Sequence, residues 1–297
     1  MRFTKKAAVF GATAIVAALT LSACGGGSTD NNSSSGADAP YKVADNVSLS
    51  GSPTFDKVKG DGKITIGVKE DQPGLGFKDP ATGEYSGFDI DTARWMAASL
   101  GLSADKITFQ AIASANREQA LVNGQIDLYI GTYSITDKRK AQIDFAGPYL
   151  VTGQALLVKK DNTTINSDKD LAGKTVCSAT GSTPIQNIKD KYKETKTTEF
   201  DVYSKCVDAL KNGQVDAVTT DQPILAGYAA QDPDNLKVVG EPFTTEKYGI
   251  GLKKGDGALR KFLNDVLTNG KNIWTKLYDN NLGKSGLKLE QPAVDNY

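Results

Sequence analysis

Apolar and polar positions along the chain fall into short runs, and one stretch of that pattern is written twice. Leu121-Val122-Asn123-Gly124-Gln125-Ile126-Asp127 returns as Leu210-Lys211-Asn212-Gly213-Gln214-Val215-Asp216. In each copy an amphipathic run ends in Asn-Gly, the pair that closes a helix in left-handed geometry, and an apolar run bounded by turn residues then reads as a strand. The repeat predicts two similar lobes, each built from helix, turn and strand. Dissimilar polar segments follow the two strands: Gly131 to Arg139 after the first, and Thr219-Thr220-Asp221-Gln222-Pro223 after the second. Ligands of open α/β sheets collect at such carboxyl ends.

The wider pattern extends the same rhythm. It predicts strands over Ile64–Val68, Ile107–Gln110 and Ile126–Ile130, with helices over Phe88–Leu100 and Ser114–Asn123. A second series follows, with strands over Thr175–Cys177, Thr198–Tyr203 and Val215–Val218 and helices over Pro184–Lys193, Lys205–Asn212 and Pro223–Ala230. Alternating strands and helices predict α/β lobes with mainly parallel sheets. Gln154–Val158 and Tyr248–Leu252 are β-rich and are read as the segments that carry the chain across and back, forming a two-stranded hinge. Helices over Gly257–Leu267 and Ile273–Asn280, the second containing Trp274, are expected to pack on the first lobe. The expected boundaries are 61–152 for the first part of lobe 1, 153–247 for lobe 2, and 248–297 for the return to lobe 1 and the C-terminal helices.

At the N-terminus, Arg2, Lys5 and Lys6 precede an apolar stretch from Ala7 to Leu21, a secretory signal over 1–23 and not a fold element. Leu21-Ser22-Ala23-Cys24 resembles the bacterial lipobox, which implies a diacylglyceryl thioether on Cys24 and attachment to the outer face of the cell membrane. Gly25 to Asp38 is rich in Gly, Ser, Asn and Asp and cannot bury enough apolar surface to fold, so a flexible tether is expected and is taken to run over 24–60. No other segment is apolar enough to span a bilayer.

With Cys24 assigned to lipid, Cys177 and Cys206 remain as an even pair in an oxidising compartment; a disulfide between them is expected, with two buried free thiols as the alternative. Lysine plus arginine equal aspartate plus glutamate at 35 each; without Arg2, Lys5 and Lys6 the balance is 32 against 35. A chain so nearly neutral is not a nucleic-acid binder. The sequence contains no histidine, which excludes His-based triads, His zinc sites and a histidine general base. No acidic cluster has calcium-loop spacing, so neither a metal nor a cofactor is expected.

Four segments together carry a family resemblance. They are Tyr85-Ser86-Gly87-Phe88-Asp89-Ile90-Asp91 opening the first long helix, Gly131 to Arg139, Asp144-Phe145-Ala146-Gly147-Pro148-Tyr149, and Thr180-Gly181-Ser182-Thr183. The chain resembles the extracellular solute-binding proteins (family 3) of polar amino-acid ABC transporters, close to the glutamate-binding lipoproteins of actinobacteria, from about Lys63 to Asn281. The resemblance implies a two-lobed periplasmic-binding-protein-like fold of type II, closure around a ligand without catalysis, and an ABC permease with a separate ATPase as partners. No Walker phosphate loop is present in the chain itself.

The candidate ligand residues make chemical sense for an α-amino acid. Arg139 offers a planar fork that matches a carboxylate, and Ser134 can add a hydroxyl to it. The Thr132 carbonyl and the Asp221 carboxylate occupy positions where similar proteins bind the ammonium; Asp221 before Pro223 is equally placed to cap a helix. Gly181, Ser182 and Thr183 precede a helix whose N–H groups favour an anion, with plain capping by Ser182 or Thr183 as the competing role. Lys69 and Arg117 fall where similar proteins surround the ligand side chain, and two cations there favour an acidic amino acid, glutamate before aspartate, over its amide. Glutamine or asparagine import, a tethered amino-acid sensor, and a cyclic amino-acid dehydratase using Glu70, Asp71 or Glu118 as acid are the alternatives. The last is disfavoured because neighbouring cations hold those acids ionised.

Overall fold

The computed structural model describes residues 39–297; the expected signal over 1–23, Cys24 and the Gly25 to Asp38 run lie outside the described residues. In chain order the elements begin with α1 (Pro53–Asp61), β1 (Ile64–Val68), the small strands β2 (Asp71–Gln72), β3 (Gly76–Lys78) and β4 (Tyr85–Ser86), and α2 (Phe88–Ser99). Next come β5 (Ile107–Ala111), α3 (Arg117–Val122), β6 (Leu128–Tyr129), α4 (Asp137–Lys140) and β7 (Ile143–Thr152). The middle of the chain supplies β8 (Gln154–Lys159), β9 (Thr175–Ala179), α5 (Thr183–Lys191), β10 (Lys196–Phe200), α6 (Tyr203–Lys211), β11 (Ala217–Asp221), α7 (Gln222–Gln231) and β12 (Leu236–Val239). The chain ends with β13 (Glu246–Lys253), α8 (Gly257–Asn269) and α9 (Lys271–Asn281).

Two five-stranded sheets organise these elements, ordered β5-β1-β6-β13-β7 and β10-β9-β11-β8-β12. Each sheet has the same mixture: its first three strands are parallel and its last two join antiparallel. The expected parallel character therefore holds for one half of each sheet, the half built from strand-helix-strand crossovers. The other half consists of strands that run between the lobes or return from them.

This pairing corrects the expected hinge. Gln154–Val158 lies within β8, in the interior of the second sheet between β11 and β12, and Tyr248–Leu252 lies within β13, between β6 and β7 of the first. The β-rich composition of both segments reflects burial inside a sheet. The crossings are the short pieces beside them, at Gly153 and at residues 240–245, where the Gln154 N–H donates to Thr244 Oγ1 at 3.0 Å and the Phe243 N–H to the Gln154 carbonyl at 2.9 Å. A Cβ on Gly153 would stand 2.2 Å from the Thr244 carbonyl, so the two crossing strands are as close as backbones allow.

The written repeat is a structural repeat in detail. Gly124 and Gly213 take φ of 67° and 73°, and each is followed by a glutamine whose N–H bonds back to the carbonyl five residues earlier. Asp127 and Asp216 then perform the same task. Each accepts from the backbone N–H at the start of its lobe's first parallel strand, Asp127 from Thr65 at 2.8 Å and Asp216 from Thr175 at 2.7 Å, while its own N–H donates to that residue's carbonyl. The aspartate that ends the motif thus registers strand against strand in both lobes.

A second correction concerns the tether. Within the stretch assigned to 24–60, Pro53–Asp61 is helical, capped by Ser52, whose Oγ accepts from the Phe55 N–H, with Pro at the first helical position. Phe55 and Val58, one turn apart, are buried in the first lobe's core. Asp256 accepts from both Ser52 Oγ and the Thr54 N–H, so the helix start is fastened to a residue more than two hundred positions away. The cap, the proline and the apolar spacing were present in the sequence. α8 and α9 do pack on the first lobe, with the Trp274 indole N–H donating to the Tyr149 carbonyl at 2.7 Å.

Cys177 in β9 and Cys206 in α6 are joined by a disulfide and fully buried. The bridge closes a loop with a sequence separation of 29 and links a central strand to the helix packed on it. On the chain-entropy model such a loop contributes about 3.6 kcal/mol. Thermal unfolding with and without a reductant able to reach the bridge, or of a Cys177→Ser/Cys206→Ser variant, is expected to show a clear fall in Tm with the binding cleft still assembled at room temperature.

Candidate functional site

The carboxyl ends of β1, β6, β9 and β11 open toward one another across the junction of the lobes, and the segments that follow them form the cleft. Lys69 directly follows β1, Thr132 and Ser134 follow β6, Gly181 and Ser182 follow β9, and Asp221 ends β11. Arg117 begins α3 and Arg139 lies in α4, a single turn started by Thr136, whose Oγ1 accepts from the Arg139 N–H. Lys69, Arg117 and Arg139 are respectively 3%, 2% and 6% exposed, and Asp221 is 3% exposed. The structure therefore gathers all nine sequence candidates along one cleft.

The three cations are held differently. Lys69 Nζ donates to Ser114 Oγ at 2.8 Å, and Arg117 Nε donates to the Ser114 carbonyl at 3.1 Å, so these two converge on one residue. Arg117 also reaches the Thr132 carbonyl at 3.3 Å. Neither is ion-paired with a carboxylate among the described residues, whereas Arg139 Nε meets Glu118 at 3.0 Å. The remaining Arg139 nitrogens donate to the Ser134 carbonyl at 2.7 Å and, across the cleft, to the Gly181 carbonyl at 3.1 Å. The Tyr133 ring lies between the guanidiniums, 4.3 Å from Arg117 and 5.0 Å from Arg139, and its negative faces offset part of their mutual repulsion. Burial, reinforced by the Arg117 charge, pulls Lys69 down to about 7.

Asp221 occupies the N-cap position of α7, yet its side chain makes no capping bond. Instead Oδ2 accepts from the Tyr248 hydroxyl at 2.6 Å, and the buried Oδ1 has no partner among the described residues. Burial and the neighbouring Glu246 charge push Asp221 up to about 8, against the pull of Tyr248 and the two arginines. Its ionised form lacks compensation here, so a cationic ligand group placed at the unpartnered Oδ1 would favour that form and pull the pKa back down. Ser182 does cap its helix, accepting from the Ile185 N–H at 3.3 Å. Thr183 Oγ1 donates to Glu246 Oε2 at 2.9 Å and lies 3.2 Å from Ser134 Oγ, linking both lobes to the crossing strand.

Gly181 permits the approach: at φ 78° its hypothetical Cβ would lie 2.7 Å from the Ala115 Cα of the opposite lobe. Farther out, Asp71 Oδ2 accepts from the Ser204 N–H at 3.0 Å and from the Tyr228 hydroxyl at 3.2 Å, again from lobe to lobe. The lobes thus touch at the Gly181 turn, at Thr183 and at Asp71.

Several participants were not evident from sequence. Glu246 and Tyr248 carry no motif signal, because what places them is sheet pairing, and Tyr133 stood inside a recognised segment with no assigned role. Glu118 and Asp71 were considered only as acids; the first is an arginine partner and the second an interlobe acceptor. Asp89 and Gln72 hold Thr132 from below, through its N–H at 3.0 Å and its hydroxyl at 3.2 Å. Asp89 stood inside a recognised motif with no assigned role.

Comparison with known proteins agrees with this architecture. The glutamate-binding protein GluB of Corynebacterium glutamicum is 39% identical over 303 residues, covering 97% of this chain and 94% of the relative. The glutamine-binding protein of Geobacillus stearothermophilus is 42% identical over 242 residues, covering 81% and 90% respectively. Among solved structures, an ancestral arginine-binding protein bound to arginine matches with a TM-score of 0.68 and 38% identity over 75% of this chain and 99% of that one. The cysteine-binding protein of Campylobacter jejuni matches with a TM-score of 0.75 and 27% identity over 80% and 99%. The model of the bacterial extracellular solute-binding proteins, family 3, matches residues 64–284, and the chain, with its paired five-stranded lobes and the cleft between them, belongs to that family.

Proposed function

We propose that this chain captures an acidic amino acid, L-glutamate before aspartate, outside the cell and delivers it to the permease of an ABC importer. The coarser part of this statement rests on the family, that of bacterial extracellular solute-binding proteins, and on the relatives reported above, which are named for amino-acid binding. The finer part concerns which amino acid, since relatives named for glutamate and for glutamine are both similar to this chain.

The observation that carries the acidic reading is the pair Lys69 and Arg117, buried side by side on Ser114 with no ion-paired carboxylate among the described residues. Burying a cation without a partner costs several kcal/mol after relaxation. A ligand γ-carboxylate supplies the missing charge and returns Lys69 toward its ordinary pKa, whereas a carboxamide leaves both cations uncompensated. In this reading Arg139, Ser134 and the Gly181-Ser182-Thr183 turn receive the α-carboxylate, which exchanges for the Gly181 carbonyl at the guanidinium edge. The Thr132 carbonyl and Asp221 Oδ1 receive the ammonium. Contacts from both lobes to one ligand favour the closed arrangement, which is a population shift and not a catalytic event.

Glutamine or asparagine import remains the second reading, supported by the glutamine-binding relative. The lipobox resemblance at Cys24 supports a lipid anchor that keeps the binding protein at the membrane surface near its permease.

Titration calorimetry against glutamate, aspartate, glutamine and asparagine is expected to give tight binding of an acid and at least tenfold weaker binding of its amide, about 1.4 kcal/mol or more. Preference for the amide would refute the two-cation pocket. Lys69→Ala and Arg117→Ala are expected to erase most of the advantage of acid over amide, lowering glutamate affinity far more than glutamine affinity. Arg139→Ala is expected to abolish binding of all four, an interaction worth about 2–5 kcal/mol; unchanged affinity in that variant would rule out the site. Cell fractionation with Cys24→Ala is expected to move the protein from the membrane to the soluble extracellular fraction, and retention on the membrane would exclude the thioether anchor.

A further inference from the structure

We propose that Asp89 is a positioning residue of the binding site: through the Thr132 N–H it holds the Thr132 peptide in the left-handed conformation that aims the Thr132 carbonyl at the ligand. The inference rests on the reading of Thr132 as a ligand contact and deepens it.

Thr132 has φ 49°, one of two non-glycine residues with positive φ among the described residues, and the other, Asn46, belongs to a type that tolerates this region. A β-branched side chain does not, so the conformation persists only where surroundings impose it. Three bonds impose it here. Thr132 Oγ1 donates to Gln72 Oε1 at 3.2 Å, its carbonyl accepts from Arg117 Nη1 at 3.3 Å, and its N–H donates to Asp89 Oδ2 at 3.0 Å. The third is the shortest and has a carboxylate as acceptor.

Asp89 is itself immobile. It lies in the first turn of α2, is fully buried, and spends its other oxygen on the Tyr149 hydroxyl at 2.8 Å. Tyr149 is fixed in turn by its place in β7 and by the Trp274 indole at its carbonyl. Asp89 has no cationic partner among the described residues, and burial pushes it up to about 7 against the pull of its two hydrogen bonds. A buried carboxyl without a cation is costly to stability, and both of its oxygens serve one purpose, a rigid link from the lobe core to the strained peptide beneath the cleft. Because the same carbonyl takes Arg117 Nη1, the link also orients one of the two side-chain-pocket cations.

The test uses calorimetry with whichever of glutamate, aspartate, glutamine and asparagine the unaltered protein binds tightest, together with thermal unfolding. Asp89→Ala is expected to weaken binding by about tenfold or more, because Thr132 relaxes out of the left-handed region. Asp89→Asn, which keeps an acceptor for the Thr132 N–H and offers an amide to the Tyr149 oxygen, is expected to restore affinity to within about threefold. Adding Thr132→Gly to Asp89→Ala is expected to recover most of the affinity, since glycine holds positive φ at little cost, while leaving Tm lowered. Recovery of binding without recovery of stability is the signature that a merely structural role would not give.

Unchanged affinity in Asp89→Ala, or a loss that Thr132→Gly does not repair, would overturn the proposal. Should Asp89→Ala fail to fold, Asp89→Ser takes its place, since its hydroxyl stops short of the Thr132 N–H, and the same loss and repair are expected. Binding abolished in Arg139→Ala but intact in Asp89→Ala would sink the positioning role alone. A preference of the unaltered protein for an amide would sink the glutamate reading alone.

Discussion

Burying like charges side by side is the constraint around which this cleft is built. Lys69, Arg117 and Arg139 are all removed from solvent, and the described residues supply one ion pair, Glu118 with Arg139, to offset them. The rest of the compensation is partial: the Ser114, Thr132, Ser134 and Gly181 carbonyls or hydroxyls, and the faces of Tyr133 between the two guanidiniums. Tyr133 is held by Tyr129 at 5.1 Å and Phe145 at 4.8 Å, so the offset depends on an aromatic cluster within the first lobe. In the proposed reading this shortage of anions is what would discriminate by ligand charge, because a group that cannot complete the pairing leaves the full desolvation cost in place.

The fold delivers these groups by bringing the carboxyl ends of two similar sheets together and joining them through crossings too short to let them drift. Gly153 and Thr244 lie in backbone contact at that crossing, and the polar chain from Ser134 through Thr183 to Glu246 starts in one lobe, touches the other and ends on the returning strand. Tyr248 extends the connection to Asp221. Site residues on both sides are thus hydrogen-bonded to β13, the strand that follows the return crossing.

The repeat was legible because it is local. Helix exit through Asn-Gly, the turn and the strand that follows are written in about ten consecutive residues, and the aspartate that ends each copy bonds to the same position of each lobe's first strand. α1 was equally legible in Ser52, Pro53, Phe55 and Val58, and was missed because the low-complexity composition before it was extended too far. The hinge was misplaced for a different reason. Gln154–Val158 and Tyr248–Leu252 have the composition of buried strands and are buried strands, but no local feature tells an internal strand from one that bridges two sheets.

The two-lobed α/β plan, the even cysteine pair and the exclusion of histidine chemistry could be read along the chain, because periodicity and composition are properties of neighbouring residues. How the cleft residues meet was set by folding. It decided between the two roles open to Asp221 by leaving its side chain without a capping bond and with one oxygen unpartnered among the described residues, placed Lys69 and Arg117 together on Ser114, set Glu118 against Arg139, and brought Asp89 under Thr132. Each of these depends on distance through space between residues tens of positions apart, and burial, which sets the worth of a charge or a hydrogen bond, exists only once both lobes have folded and met.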